Sequence, residues 1–264
     1  MSDEQQKVKA TSDIKYIVID GVMELEIDRP KKKNALSQAM YVGLTEAIKK
    51  AGEDSSIKVV LLFGADHNLC SGNDLADFAG GAGLGTRDNP ILNFLRAFSS
   101  CSKPIVVAVE GVAVGIGTTL LTHSDLIYAS SNARFKLPFV SLGLCPEFAS
   151  SMILPKLVGH AKAAEWLLLG SEFSPQEALE TGLINAVVDE PIVKAREVAQ
   201  QLARQAPKAV QTTKALMKRA IVNDIDEAIE AEIVEFEAAL KGEEFKEAVT
   251  AFFEKRSPDF SKCS

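Results

Sequence analysis

Two short apolar runs, each closing on glycine, constrain the fold of this chain more than any other feature. "IKVVLLFGA" occupies residues 57–65 and "KPIVVAVEG" residues 103–111. Runs of this length, continuous and apolar, predict strands buried on both faces, as in parallel sheets covered by helices. Helical patterns lie around them. "LSQAMYVGLTEAIKKAGED" (36–54) has helical spacing with Ser37 as its cap candidate, and "VGIGTTLLTHSD" (114–125) reads as a helix opening. "YIVIDGVMELEIDRP" (16–30) reads as two strands around Gly21, and "LIYASSNARFKLP" (126–138) as strand, turn and strand. From residue 159 onward helical periodicity dominates, with successive amphipathic helices over 191–207, 208–222 and 224–242. Strands alternating with helices predict an α/β fold, here with an all-helical tail.

Composition narrows the functional classes. Of the 264 residues 47% are hydrophobic, enough for a sizeable core. A net charge of −7 argues against a nucleic-acid partner, although a local basic patch could still hold a small anion. The four cysteines (Cys70, Cys101, Cys145, Cys263) lie far apart, with no C-x-x-C and no zinc-like spacing, so a reduced protein is expected. The N-terminus "MSDEQQKVKA" is polar, no run approaches the length of a membrane span, and the final "SKCS" is not an S-K-L address. The expectation is a cytoplasmic protein.

The glycine clusters fail as nucleotide sites. "GIGTTL" begins as G-x-G at Gly115 but reaches Leu120 where a glycine is needed, "GAGLGT" (81–86) fails at Thr86, and neither supplies G-K-[ST]. Glycines at strand–helix junctions, "CSGNDL" (70–75) and "GVAVGIGTT" (111–119), can instead expose backbone N–H groups. If both face one cleft, an N–H from each could bind a single developing oxyanion; the alternative is turn and packing glycine. Glu147, in "GLCPEFASS" (143–151), stands among small and apolar residues. Burial there would raise its pKa and suit it to proton transfer; the alternative is a surface carboxylate favoured by a helix start. Lys31, Lys32 and Lys33, in "RPKKKN", are either a solvated surface or a cationic rim for an anionic ligand. His67, His123 and His160 have no paired spacing and read as structural, while Asp74 and Asp125 read as turn and cap residues. Met40 and Trp166 read as core, and Leu75, Phe78, Phe94 and Phe98 flank the Gly-rich segment 78–90 as candidate pocket walls.

Taken in order, "RPKKKNALS", "NLCSGNDL", "KPIVVAVEGVAVGIGTTLLTHSD", "LPFVSLGLCPEFASS", "GSEFSPQEALETGLINAVV" and "FKEAVTAFFEKRSPDF" resemble the crotonase, or enoyl-CoA hydratase/isomerase, superfamily from about residue 14 onward. The resemblance implies a crotonase-type spiral of ββα units over residues 1–200, followed by a helical trimerisation region over 201–264, with trimers or hexamers as the assembly. It places the two N–H donors for a thioester oxygen on Asn73 and Ile116. The two glutamates of the family's hydratases fall on Thr119 and Phe139, so both are absent. "PEFASS" instead resembles the "PEG-x-S-S" of peroxisomal-type Δ3,Δ2-enoyl-CoA isomerases, with Glu147 as the lone base and Phe148 where glycine is usual. The implied reaction is 3-enoyl-CoA to trans-2-enoyl-CoA, with no metal or redox cofactor and CoA as part of the substrate. Lys31–Lys33, the Ser71 carbonyl, Leu75 and Phe78 would contact that substrate. Other readings remain: an enoyl-CoA hydratase or another acyl-CoA enzyme using Glu147 with an unrecognised partner, and a non-enzymatic acyl-CoA binder.

Overall fold

A computed structural model describes residues 9–11, 13–76 and 89–263. One seven-stranded sheet organises it. Strands β1 (Lys9–Thr11), β2 (Ile14–Ile19) and β3 (Val22–Ile27) pair antiparallel, β2 and β3 turning at Gly21. From β3 the sheet continues in parallel through β4 (Val59–Gly64), β5 (Ile105–Val109), β7 (Leu126–Ala129) and β10 (Ala186–Val187). A second, three-stranded sheet joins β6 (Val112–Val114), β8 (Arg134–Lys136) and β9 (Glu172–Phe173).

The apolar runs behave as expected of doubly covered strands. Val60, Leu62, Val107 and Val109 enter the main core, while Val59, Leu61, Val106 and Ala108 enter a separate cluster on the other face. That second face is covered by Ala195, Ala199 and Ala203 of α7 (Pro191–Ala203), a stripe of small residues at four-residue spacing. The main face is covered by α1 (Gln38–Glu53) and α2 (Pro90–Ser99). The Ser37 side chain caps α1 by accepting from the Met40 N–H.

The spiral arises because β5 passes into β6, and β7 into β8, each moving from the large sheet to the small one. Bridges between Cys70 and Ala113 and between Leu36 and Asn73 extend this stacking toward the N-terminal half. The α-helix after β6 is short: α3 (Ile116–Thr119) tightens to 3-10 geometry over Leu120–His123. From residue 159 the chain is helical as expected, in α5 (His160–Leu169), α6 (Pro175–Glu180), α8 (Pro207–Lys218), α9 (Val222–Lys241) and α10 (Glu243–Glu254); α4 (Ser150–Val158), before them, was not read from the sequence. Strands β9 and β10, two residues each, are too short to show a period in sequence. The expected division at 200/201 falls inside α7, which packs on the main sheet through Ala199 and Ala203 on either side of it. Met40 and Trp166 are core, as read. Among the described residues, no helix is long and apolar enough to cross a membrane.

Candidate active site

The loop before α4 carries Glu147 into the interior, where it is 7% exposed. The two residues after it are left-handed, Phe148 at φ 63° and Ala149 at φ 54°. Non-glycine residues adopt this conformation at a cost of about 1–2 kcal/mol each, so the surroundings must enforce it. Phe148 stacks on His123 with ring centroids 3.9 Å apart and meets Phe98 edge-on at 6.1 Å. The Nε2–H of His123 donates to the Phe148 carbonyl at 2.7 Å, and burial lowers the imidazole pKa to about 3, so the ring is neutral. From the opposite side, Glu232 of α9 accepts from the Ala149 N–H at 2.6 Å and from the N–H and hydroxyl of Ser151 at 2.9 and 2.6 Å. An aromatic side chain can therefore stand where the resemblance leads one to expect glycine.

Among the described residues, the Glu147 carboxyl accepts one hydrogen bond, from the Thr119 hydroxyl at 2.5 Å. Burial is the main influence on it and pushes its pKa up to about 8; the Thr119 bond pulls the value down and the charge of Glu232 pushes it up. Among the described residues, no cation offsets the burial.

Two backbone donors stand nearby. Among the described residues, the N–H groups of Asn73 and Ile116 donate to no protein acceptor, although their neighbours are paired: Asp74 N–H to the Leu36 carbonyl and Gly115 N–H to the Lys136 carbonyl. Each follows a glycine that makes the turn possible. Gly72 has φ 101° and Gly115 has φ 55° with ψ −120°, regions that residues with a Cβ avoid. The Asn73 side chain is fixed by the buried Tyr41 hydroxyl, which donates to its Oδ1 at 2.5 Å.

A cleft of about 520 Å³ passes Asn73 and Ile116 and is walled by Phe139, Phe236, Phe252 and Phe253. Beyond it lies an inner pocket of about 20 Å³, room for one small group. Asn73 and Phe236 line both spaces, and Glu147 lines the inner one with Leu92 and Ile233. A ligand entering by the cleft would thus meet two free N–H groups and then a carboxyl that readily exchanges a proton. Such an arrangement can stabilise an oxyanion while a neighbouring carbon loses or gains a proton.

Of the candidate ligand contacts, Lys32, Ser71 and Leu75 line the cleft. Lys31 and Lys33 are exposed and do not line it. The Ser71 N–H donates to the Lys33 carbonyl at 3.0 Å and its hydroxyl to the Lys32 carbonyl at 3.0 Å, so the lysine loop and the first N–H turn are one unit. Phe78 lies outside the described residues. Phe94 and Phe98 are corrected: 1% and 0% exposed, they form the core cluster behind Phe148 and wall neither space. Thr119 and Phe139 supply no acid, but Thr119 holds Glu147 and Phe139 walls the cleft. His123 is structural, as read. Asp74 caps the Ala76 N–H at 3.1 Å and also pairs with Arg29 at 2.8 Å, while Asp125 accepts from the Ile105 N–H and from Lys214.

Three residues of the site escaped the sequence reading. Tyr41 was hidden in an ordinary helical face, and Lys136, also on the cleft, was one of two cations in a three-residue strand. Glu232 had a visible signal. It shares one helical face with Ile225, Ile229 and Phe236, all buried, and a carboxylate on an apolar stripe requires partners.

Comparison with known proteins places these features in context. A sequence profile described as enoyl-CoA hydratase/isomerase matches residues 18–263. The 1,2-epoxyphenylacetyl-CoA isomerase of Escherichia coli is 35% identical over 251 residues, covering 91% of this chain and 95% of that one. Human enoyl-CoA delta isomerase 2 is 37% identical over 209 residues; the match takes in 76% of this chain but only 52% of that longer protein. The crystal structure of an enoyl-CoA hydratase/isomerase from Pseudoalteromonas atlantica superposes with a TM-score of 0.90 at 38% identity, covering 94% of this chain and all of that one (100%).

Proposed function

This chain belongs to the enoyl-CoA hydratase/isomerase family, of crotonase fold, and within it we propose that it converts 3-enoyl-CoA to trans-2-enoyl-CoA. One observation carries the reading: among the described residues, Glu147 is the single acid on the inner pocket. It sits beside Asn73, at the junction with the cleft, and burial raises its pKa to about 8.

The reaction needs one shuttling base. Glu147, as carboxylate, removes a proton from C2 of the 3-enoyl thioester, and the electron pair moves onto the thioester oxygen as an enolate. The N–H groups of Asn73 and Ile116 receive that charge; losing one such donor typically costs about 10²–10³ in rate. The double bond re-forms between C2 and C3, and Glu147 returns its proton to C4, so no atom or electron is gained or lost. A raised pKa suits both halves of this cycle, since proton transfer is most effective when the group's pKa lies near the working pH. Hydration would need a second group to activate or protonate against water, and the positions implied for it hold Thr119 and Phe139. One relative, by name an enoyl-CoA delta isomerase, supports the reading. CoA is part of the substrate here, with Lys32 and Lys136 on the cleft as cations for its phosphates.

The test is to incubate the protein with trans-3-hexenoyl-CoA, and separately with trans-2-hexenoyl-CoA, and to follow mass and thioester conjugation. Conjugation at unchanged mass, with a loss on the order of 10²–10⁴ in Glu147→Gln, is expected. Gain of one water by the 2-enoyl substrate, without isomerisation of the 3-enoyl one, would replace this reading with a hydratase.

A further inference from the structure

Resting on the assignment of Glu147 as base, we propose that Glu232, on α9, is the positioning residue that holds the Glu147 turn in its working geometry, making the C-terminal helical region part of the catalytic apparatus.

Glu232 is 7% exposed and stands on the apolar stripe of α9. A carboxylate in that place is tolerated only if both oxygens find donors. They do: Oε2 accepts from the Ala149 N–H, and Oε1 from the Ser151 N–H and hydroxyl. These donors open α4. Helix starts leave N–H groups without intrahelical partners, and the residue at the cap position, Ala149, has no side chain to satisfy them. Glu232 therefore does from another helix what a serine or aspartate cap does locally.

A cap alone would be a structural role. Two features go further. The chain that Glu232 grips is the left-handed pair Phe148–Ala149, directly after Glu147, so releasing it frees the backbone that aims the base. In addition, burial raises the Glu232 pKa while its three donors favour the charged form, and that charge opposes ionisation of Glu147. Among the described residues, the other titratable groups around Glu147 are Tyr41 of α1, Cys70 after β4, and Cys145 of its own loop; burial keeps all three neutral. His123 behind the turn is neutral as well. From α2 the pocket receives only Ile91, Leu92 and Leu95. Among the described residues, Glu232 is thus the charge that acts on the base, as well as the clamp on its turn.

Glu232→Gln keeps the shape but loses the charge and one pair of acceptor positions. The expected result is a kcat lower by roughly 10- to 100-fold, the scale for a displaced catalytic group, with KM within about threefold. Removing the negative neighbour favours the Glu147 carboxylate. The midpoint of the rate's rise with pH therefore moves downward, as does the Glu147 carboxyl titration read by infrared difference against Glu147→Gln. Ser151→Ala retains the charge and removes one donor, so it lowers kcat several-fold with the midpoint in place. A Glu232→Gln protein that melts at lower temperature yet keeps wild-type kcat and wild-type midpoint would overturn the proposal and leave a helix cap. If Glu232→Gln does not fold, wild-type kcat in Ser151→Ala would overturn it equally. The infrared titration separates this inference from the assignment beneath it: a moved midpoint with an active Glu147→Gln would sink the base and leave the coupling standing.

Discussion

Burying an acid without a cation has a thermodynamic consequence that Glu147→Gln exposes. In the folded protein burial pushes the Glu147 carboxyl up to about 8, against an ordinary value of 4.5 in the unfolded chain. A group whose folded pKa is raised holds its proton in the native state while the unfolded chain has already lost it. Its contribution is therefore intact below about pH 4.5 and is lost progressively as pH rises to about 8. At about 1.4 kcal/mol per pKa unit the full loss is about 5 kcal/mol. Between pH 6 and pH 9 the part that falls in this window is about 3 kcal/mol. Glu147→Gln is neutral at every pH and accepts from Thr119 as before. Denaturant unfolding of both proteins at pH 6 and pH 9 reads the effect, because Glu26, also raised by burial but not acting on Glu147, cancels in the difference, and the coupled Glu232 belongs to the same effect. The substituted protein gains on the wild type by about 3 kcal/mol as pH rises. A stability difference that does not change with pH would refute the buried, unpaired state of Glu147, and with it the reason its pKa suits proton transfer.

Two further outcomes follow from the same contacts. Thr119→Val removes the one hydrogen bond that favours the charged form of Glu147, so the midpoint of the pH–rate profile moves upward and activity at neutral pH falls about tenfold; an unmoved midpoint would show that Thr119 does not hold the carboxylate. Phe148→Gly relieves a left-handed φ worth about 1–2 kcal/mol but removes a buried aromatic ring, worth about 3–5 kcal/mol. Packing wins, and net destabilisation of about 2–3 kcal/mol is expected in urea unfolding; a stabilised protein would mean that the stack on His123 contributes little.

The sequence by itself determined the elements and the kind of fold, because those depend on short-range patterns. Continuous apolar runs ending in Gly64 and Gly111 specify strands buried on both faces, and Ser37 before an apolar period specifies a helix start. An acid among small and apolar residues marked Glu147, and broken glycine motifs removed nucleotide chemistry. The tertiary structure alone decided which groups meet. Asn73 and Ile116 lie on separate units and share a cleft because the chain at Cys70 pairs with β6. Thr119 reaches Glu147 across 28 residues, and Glu232 reaches Ser151 across 81. Such contacts arise from the order of strands and the course of crossovers, which no local window contains. The same holds for Phe94 and Phe98: near the Gly-rich segment in sequence, they are committed by the packing of α2 to the core behind the Glu147 turn. Strain at Phe148 and Ala149 was equally hidden, since a left-handed residue there is stable only because His123 and Glu232 hold it from two sides.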